Sequence, residues 1–366
     1  MRILITTATY LPSTNGVAFV VEQTRKELIR QGHEVLLLAP QNGDGEKSKN
    51  GILYYPAIPN PIIPSEYPVG MPLVSLKKIE EFRPQVIQTH HPVMVGNLSV
   101  YMAQKYNLPL FFSFNSDYEQ YLKTYLTLGS DLWQKVLVGY LKRFASNVTR
   151  VISPSTHIYK HLIAIGIKNS VVIANGIDTK QFRPTKSKPE ELGIIFVGRL
   201  EKEKQPKKLI DLAVALRKTG IKFKMMIVGT GLLRKDLVQM VKRYNLSVQV
   251  ELAGRVSRER VARLLSRYHF FVSYSQSETF SLSHLEAQAC GVVLLLPPSV
   301  MLGDYASKET VVKVPQNFDK AAEKIISVFK DKNKYNRLVS AGLRVSNKYS
   351  VERTTSDLVS LFSKYI

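Results

Sequence analysis

Short runs of consecutive apolar residues, each closed by a polar or glycine-containing turn and followed by a stretch with helical spacing, recur along the whole chain. In the first half these runs are Ile3 to Thr7, Glu34 to Ala39, Gly51 to Tyr55, Val86 to Thr89, Pro109 to Ser113, Thr149 to Ile152 and Ser170 to Ile173. Gly193 to Val197, Phe223 to Val228, Val248 to Leu252, Tyr268 to Tyr274 and Val292 to Leu296 continue the series. Runs that are apolar throughout, rather than alternating, are what strands buried on both faces of a parallel sheet require. Val17 to Gln31, Met94 to Tyr106 and Asp131 to Asn147 carry the helical spacing, and Ser153-Pro154-Ser155 starts a further helix. The alternation predicts the α/β class with parallel sheets. Its first unit lacks G-x-G-x-x-G, which argues against an ordinary dinucleotide site there.

A chain of 366 residues exceeds one ordinary core and predicts two Rossmann-like domains of comparable size. The expected boundaries are 1–180, 181–348, and a last helix over 349–366 that crosses back to the first domain. Cys290 is the single cysteine, so no internal disulfide is possible and a reducing compartment is expected; its position reads as helix packing. The opening Met1-Arg2-Ile3-Leu4-Ile5-Thr6 reads as a strand, not a signal peptide, and no apolar run reaches the roughly 20 residues of a membrane span.

Charge changes the picture. The net charge is +22, and it is unequally shared: residues 1–180 carry 18 basic against 12 acidic side chains, residues 181–366 carry 33 against 17, or +6 and +16. Such a field favours phosphates, anionic lipid surfaces or nucleic acid, or is a solvated lysine-rich surface. No helix-turn-helix, zinc spacing or RNA-recognition motif accompanies it, which argues against a nucleic-acid partner. Residues 40 to 72 read as loop, with Ile62, Ile63, Tyr67 and Met71 suited to an acceptor mouth, a membrane contact or core packing. The 131–147 helix, with Leu132, Trp133, Val136, Leu137, Tyr140, Leu141 and Phe144 on its apolar side, reads as a core helix with a cationic rim or one lying on a membrane. His90 and His91 point oppositely in an extended segment and lack a third ligand nearby, so no zinc site is expected.

The most informative stretch is residues 268 to 297, which packs strand, polar turn, helix and strand together. Ser283-His284-Leu285-Glu286 fits a capping box, in which Glu286 would reach back to the cap. A second carboxylate, Glu278, stands eight positions earlier, in a turn after a strand, where open α/β sheets bind ligands.

This S-x-S-E-T-F-S-L-S-H-L-E-A-Q-A-C-G arrangement resembles the paired-glutamate signature of family 4 retaining glycosyltransferases, whose fold, GT-B, sets two facing Rossmann-like domains about an interdomain cleft. The order S-P-S, N-G-I-D (Asn175 to Asp178) and F-x-P (Phe182, Pro184) is similar too, and the likeness covers nearly the whole chain. It implies that Glu278 contacts hydroxyls of the donor sugar, that Glu286 holds the nucleotide ribose, and that amides of Thr279, Phe280, Ser281 and Leu282 face the sugar and diphosphate. Arg199 and Lys204 match the family's diphosphate-binding pair, Gly16 its glycine loop, and the turn at Val256 its cradle for the base. His-x-Pro at His90 to Pro92 with Tyr118-Glu119-Gln120-Tyr121 resembles the lipid-acceptor branch, especially bacterial diacylglycerol glucosyltransferases, and places His91 and Asn115 among the catalytic candidates. Two positions depart from the pattern: Asn115 stands where histidine is usual, and Ser281 where glycine is usual. The expected protein is a peripheral enzyme on the cytoplasmic face of the cell membrane. It moves a hexose, glucose from a UDP-sugar, to a lipid such as diacylglycerol with no metal required. The alternatives are a soluble or polysaccharide acceptor, or a non-catalytic nucleotide-sugar-binding homologue.

Overall fold

The computed structural model describes every residue except 14, 42–47, 59–69, 71, 73–75, 117, 119–129, 185–187, 276, 277 and 299–303. The chain divides into two compact units, Met1–Gly176 with Val351–Ile366, and Ile177–Ser350. The expected acceptor-mouth residues Ile62, Ile63, Tyr67 and Met71, and Glu119 to Tyr121, lie outside the described residues.

Unit 1 is built on an eight-stranded sheet: β1 (Arg2–Thr6), β2 (Glu34–Pro40), β3 (Ser48–Lys49), β4 (Ile52–Tyr55), β5 (Val86–Thr89), β6 (Leu110–Ser113), β7 (Arg150–Ser153) and β8 (Ser170–Val172). The strand order is β3-β4-β2-β1-β5-β6-β7-β8, parallel except for the β3–β4 pair. Its helices are α1 (Gly16–Arg30), α2 (Lys77–Phe82), α3 (Val95–Lys105), α4 (Ser130–Ala145) and α5 (Thr156–Ala164). The capping is ordinary local chemistry: Asn15 caps α1 by accepting from the Ala18 amide, and Ser155 caps α5 by accepting from Ile158. Both faces of the sheet are buried. Leu4, Ile87 and Phe112 belong to one core; Ile3, Ile5, Val86 and Phe111 belong to the other.

The last helix, α12 (Val351–Phe362), closes that second core with Leu358, Leu361 and Phe362, the Phe362 ring lying 4.7 Å from Phe111. Each such side chain contributes about 1.5–3 kcal/mol on burial. Gly176 must be glycine where this helix starts, because a Cβ there would stand 2.4 Å from the Val351 Cα.

Unit 2 carries a wholly parallel six-stranded sheet made of β9 (Leu192–Val197), β10 (Phe223–Val228), β11 (Val250–Gly254), β12 (Phe270–Val272), β13 (Val293–Leu296) and β14 (Val311–Lys313). Their order is β11-β10-β9-β12-β13-β14. The helices are α6 (Lys207–Lys218), α7 (Arg234–Arg243), α8 (Arg258–Leu265), α9 (Leu282–Ala289), α10 (Phe318–Lys330) and α11 (Lys332–Lys348). Strand β12 is shorter than the apolar run around it. Phe270–Val272 pairs with β13, Phe270 and Phe271 pair with β9 as well, and Tyr274 packs edge-on against Phe318 instead.

Strand order dictates where a site can form. From β9 the chain winds outward through β10 to β11, then returns to lay β12 on the other side of β9. The loops after β9 and β12 therefore diverge at a topological switch point, where a crevice opens at the strand C-termini. Unit 1 repeats the design with its switch point between β1 and β5.

Candidate active site

The unit 2 switch point gathers the charged residues singled out in the sequence. After β9 come Arg199 and the short 3-10 helix Lys202–Lys204; after β12 comes Glu278. Lys204 Nζ lies 2.7 Å from Glu278 Oε1 and also donates to Ser275 Oγ at 3.3 Å. Arg199 pairs with Glu203, Nη2 to Oε1 2.8 Å. Burial works against ionising Glu278, but Lys204 beside it and the hydrogen bonds from Lys204 and Ser275 hold its carboxyl below the usual range. A charged carboxylate and an ammonium thus meet in a half-buried spot; an anion and a sugar hydroxyl are the ligands such a pair serves. The loops after β9 and β10 approach so closely that Gly229, with φ +143°, faces Gly198 where a Cβ would stand 1.9 Å from the carbonyl oxygen.

Helix α9 starts two residues earlier than a capping box at Ser283 requires. Its N-cap is Ser281, which makes no side-chain cap bond; Ser281 Oγ lies 3.2 Å from Ser283 Oγ. Glu286 is then too far into the helix to reach its own cap, so the capping-box expectation fails. Glu286 is instead 1% exposed and gripped by Arg258, the first residue of α8, with Nη1 to Oε2 3.1 Å and Nη2 to Oε1 2.5 Å. The Arg258 guanidinium also lies 4.7 Å from the centre of the Phe182 ring. Tyr305 braces the same turn: its hydroxyl accepts from the Ser281 amide at 3.4 Å and meets His284 Nδ1 at 3.1 Å. Phe280 is buried edge-on against Tyr305, Thr279 and Leu282 are half-buried in the same turn, and Val256 is half-buried beyond β11. The α9 N-terminus presents amides that no intrahelical carbonyl can take up, together with partial positive charge.

In unit 1, Gly16 is the first residue of α1, exposed at that helix's N-terminus. His91 bridges the switch-point loops, its Nδ1 accepting from the Ala8 amide at 3.0 Å. Asn115 does not meet His91; its Nδ2 lies 2.9 Å from Nδ1 of His90, and its Oδ1 accepts from Asn175 Nδ2 at 3.1 Å. Because Nδ1 of His90 accepts from an amide, its proton sits on Nε2. Burial pushes His90 down to about 3 and His91 to about 4, so both rings are neutral at physiological pH.

His90, Asn175, Tyr305 and Arg258 were not anticipated as parts of these constellations. For Arg258 the sequence did carry a signal: a cation in the first turn after the Ser257 cap opposes the helix dipole, a local conflict that calls for a partner.

Residues 14–181 match the family model Glycosyltransferase Family 4, and residues 178–345 match Glycosyl transferases group 1. The chain belongs to this glycosyltransferase family, with the GT-B fold and a nucleotide sugar as co-substrate. Among its relatives, a GDP-mannose-dependent alpha-mannosyltransferase of Corynebacterium glutamicum is 27% identical over 81% of this chain and 72% of that protein. The alpha-monoglucosyldiacylglycerol synthase of Streptococcus pneumoniae is 26% identical over 81% of this chain and 70% of its own. In fold it is similar to the sucrose-phosphate synthase of Thermosynechococcus elongatus, with a TM-score of 0.78 at 17% identity, 100% of this chain and 99% of that one being covered. Anabaena Alr3699/HepE, solved in complex with UDP, gives a TM-score of 0.76 at 16% identity with 100% of both chains covered.

Proposed function

We propose that this glycosyltransferase transfers glucose from UDP-glucose to a membrane lipid such as diacylglycerol, with retention of the anomeric configuration. The observation that carries the donor half is the meeting of Lys204 and Glu278 at the unit 2 switch point, with Arg199 on the same loop and the α9 N-terminus beside them. In this reading Arg199, Lys204 and the first amides of α9 take the diphosphate, Glu278 takes sugar hydroxyls, and Glu286 takes the ribose. The bond from the anomeric carbon to the diphosphate oxygen breaks as the acceptor oxygen bonds to the same face. The acceptor hydroxyl proton passes to the departing phosphate. Such a step needs no protein nucleophile, and the basic side chains do the work a metal would do. Asn115, fixed between His90 and Asn175, offers the transferred sugar a hydrogen bond without changing charge. Gly16 and His91 complete the proposed set.

Support for a lipid acceptor comes from the diacylglycerol named in the streptococcal relative and from unit 1 itself. Leu132, Trp133 and Val136 on α4 are more than half exposed, and Tyr140 ties that helix to Pro92, next to exposed Val93 and Met94. Lys135, Lys142 and Arg143 are exposed on the same helix. An apolar stripe flanked by cations fits an anionic bilayer surface. No helix among the described residues is long and apolar enough to cross a membrane. The mannosyltransferase relatives favour GDP-mannose as the second donor to try.

The test incubates the protein with radiolabelled UDP-glucose, UDP-galactose or GDP-mannose and vesicles containing diacylglycerol, then separates the lipids. Labelled glycolipid from UDP-glucose, lost in the Arg199→Ala/Lys204→Ala double variant, is the expected result. Label from GDP-mannose alone would replace the donor, label in water-soluble product alone would replace the acceptor, and binding without transfer would make the chain a nucleotide-sugar-binding homologue.

A further inference from the structure

Glu286 is almost wholly buried, and a buried carboxylate is tolerated only when it is paired and hydrogen-bonded. Arg258 meets that need in a particular way. Its fork engages both carboxylate oxygens at once, and its guanidinium carbon lies over the Phe182 ring, 4.7 Å from the centroid, so the head group is held by the carboxylate and by the ring together. Phe182 is itself 1% exposed. A bidentate partner fixes the carboxylate plane as well, and each oxygen keeps a second lone pair whose direction is thereby set.

We infer that Arg258 is a positioning residue for nucleotide recognition: stacked on Phe182, it aims the remaining lone pairs of Glu286 at the two ribose hydroxyls and so sets the preference for ribonucleotides over deoxyribonucleotides. This deepens the donor-site reading and rests on Glu286 holding the ribose. Lysine would not substitute for Arg258. An ammonium supplies the charge but can hold neither the carboxylate plane nor a stacked position on the ring.

The experiment is calorimetric titration of the full chain with UDP and GDP and with their 2′-deoxy forms, on wild type, Arg258→Met, Arg258→Lys and Glu286→Gln. Wild type is expected to bind the ribose form of its nucleotide roughly tenfold to a hundredfold more tightly than the deoxy form, the worth of a hydrogen bond to a charged group. In Arg258→Met and in Arg258→Lys that ratio falls to within about threefold of one, while affinity for the deoxy form changes little. Arg258→Lys keeps the buried charge paired and carries the test if the methionine variant does not fold. A wild-type ratio in either folded arginine variant overturns the inference. So does an equal loss for both sugar forms, which a merely structural arginine would produce. If wild type shows no ribose preference, or Glu286→Gln leaves it unchanged, the ribose assignment of Glu286 itself falls and takes this inference with it.

Discussion

At the scale of single residues, the chemistry of the two candidate centres rests on who touches whom, and neighbours in sequence proved unequal. His90 and His91 are adjacent, but it is His90 that reaches Asn115, while Nδ1 of His91 accepts from the Ala8 amide. Replacing Asn115 by alanine leaves an acceptor on buried His90 without its donor, at a cost of about 1–3 kcal/mol; urea denaturation of Asn115→Ala against wild type measures it. A second residue-scale prediction concerns Lys188, whose Nζ donates to the Gly291 carbonyl at 2.5 Å and the Tyr335 hydroxyl at 2.9 Å. Burial pulls its pKa from 10.5 down to about 8. Between those values the unfolded chain binds the proton that the folded one has lost, so this side chain makes stability rise with pH over that window. The difference in unfolding free energy between wild type and Lys188→Met should follow that rise. A difference that stays flat from pH 8 to 10.5 would contradict it. Neither contact was legible in the sequence: Asn115 stands 25 positions from His90 and Tyr335 stands 147 from Lys188, and only the fold brings such residues together.

At the scale of elements, legibility was much greater, because a parallel sheet demands apolar runs that can be read directly. Phe223–Val228 and Val86–Thr89 lie where the pattern put them. The misreadings have physical causes. The Ser283 capping box is a good local signature, but α9 begins at Leu282 and tertiary pairing with Arg258 takes Glu286 away from the cap. Helix α4 was read as having one apolar side, in a core or on a membrane; of its described side chains Leu141, Phe144 and Ala145 in the C-terminal half are buried, while Leu132, Trp133 and Val136 face outward. Periodicity reports that a face is apolar; it does not say what covers it. The exposed half of α4 yields the element-scale prediction. Trp133→Glu should weaken sedimentation with anionic vesicles by about tenfold or more, the worth of one buried aromatic side chain. Val248→Glu, at a still more exposed apolar site in unit 2, should not. Raised salt should release wild type, and equal binding to neutral and anionic vesicles would count against the membrane reading.

At the scale of the whole molecule, two α/β units repeat one design in which loops meet at the switch point of a largely parallel sheet. The sequence announced the repetition through its restart near Gly193, and the charge of the second half agrees with a phosphate ligand there. Buried histidines couple the fold to pH. Burial pushes His90 to about 3 and His91, His269 and His284 to about 4, against 6.5 for an ordinary imidazole. Their contribution is complete above the unfolded value and is lost as pH falls toward the folded ones, because the unfolded chain takes up protons first. Stability should therefore decline below about pH 6.5 by up to about 1.4 kcal/mol per pH unit for each histidine. Denaturation midpoints between pH 7 and 5 check the slope. The central claim is that the donor nucleotide sugar is held by the loops at the unit 2 switch point, and hydrogen exchange read by mass spectrometry with and without saturating UDP-glucose tests it most directly. The account predicts slowed exchange in residues 198–205, 254–256 and 278–286; bound UDP-glucose that leaves all three segments unchanged would contradict it.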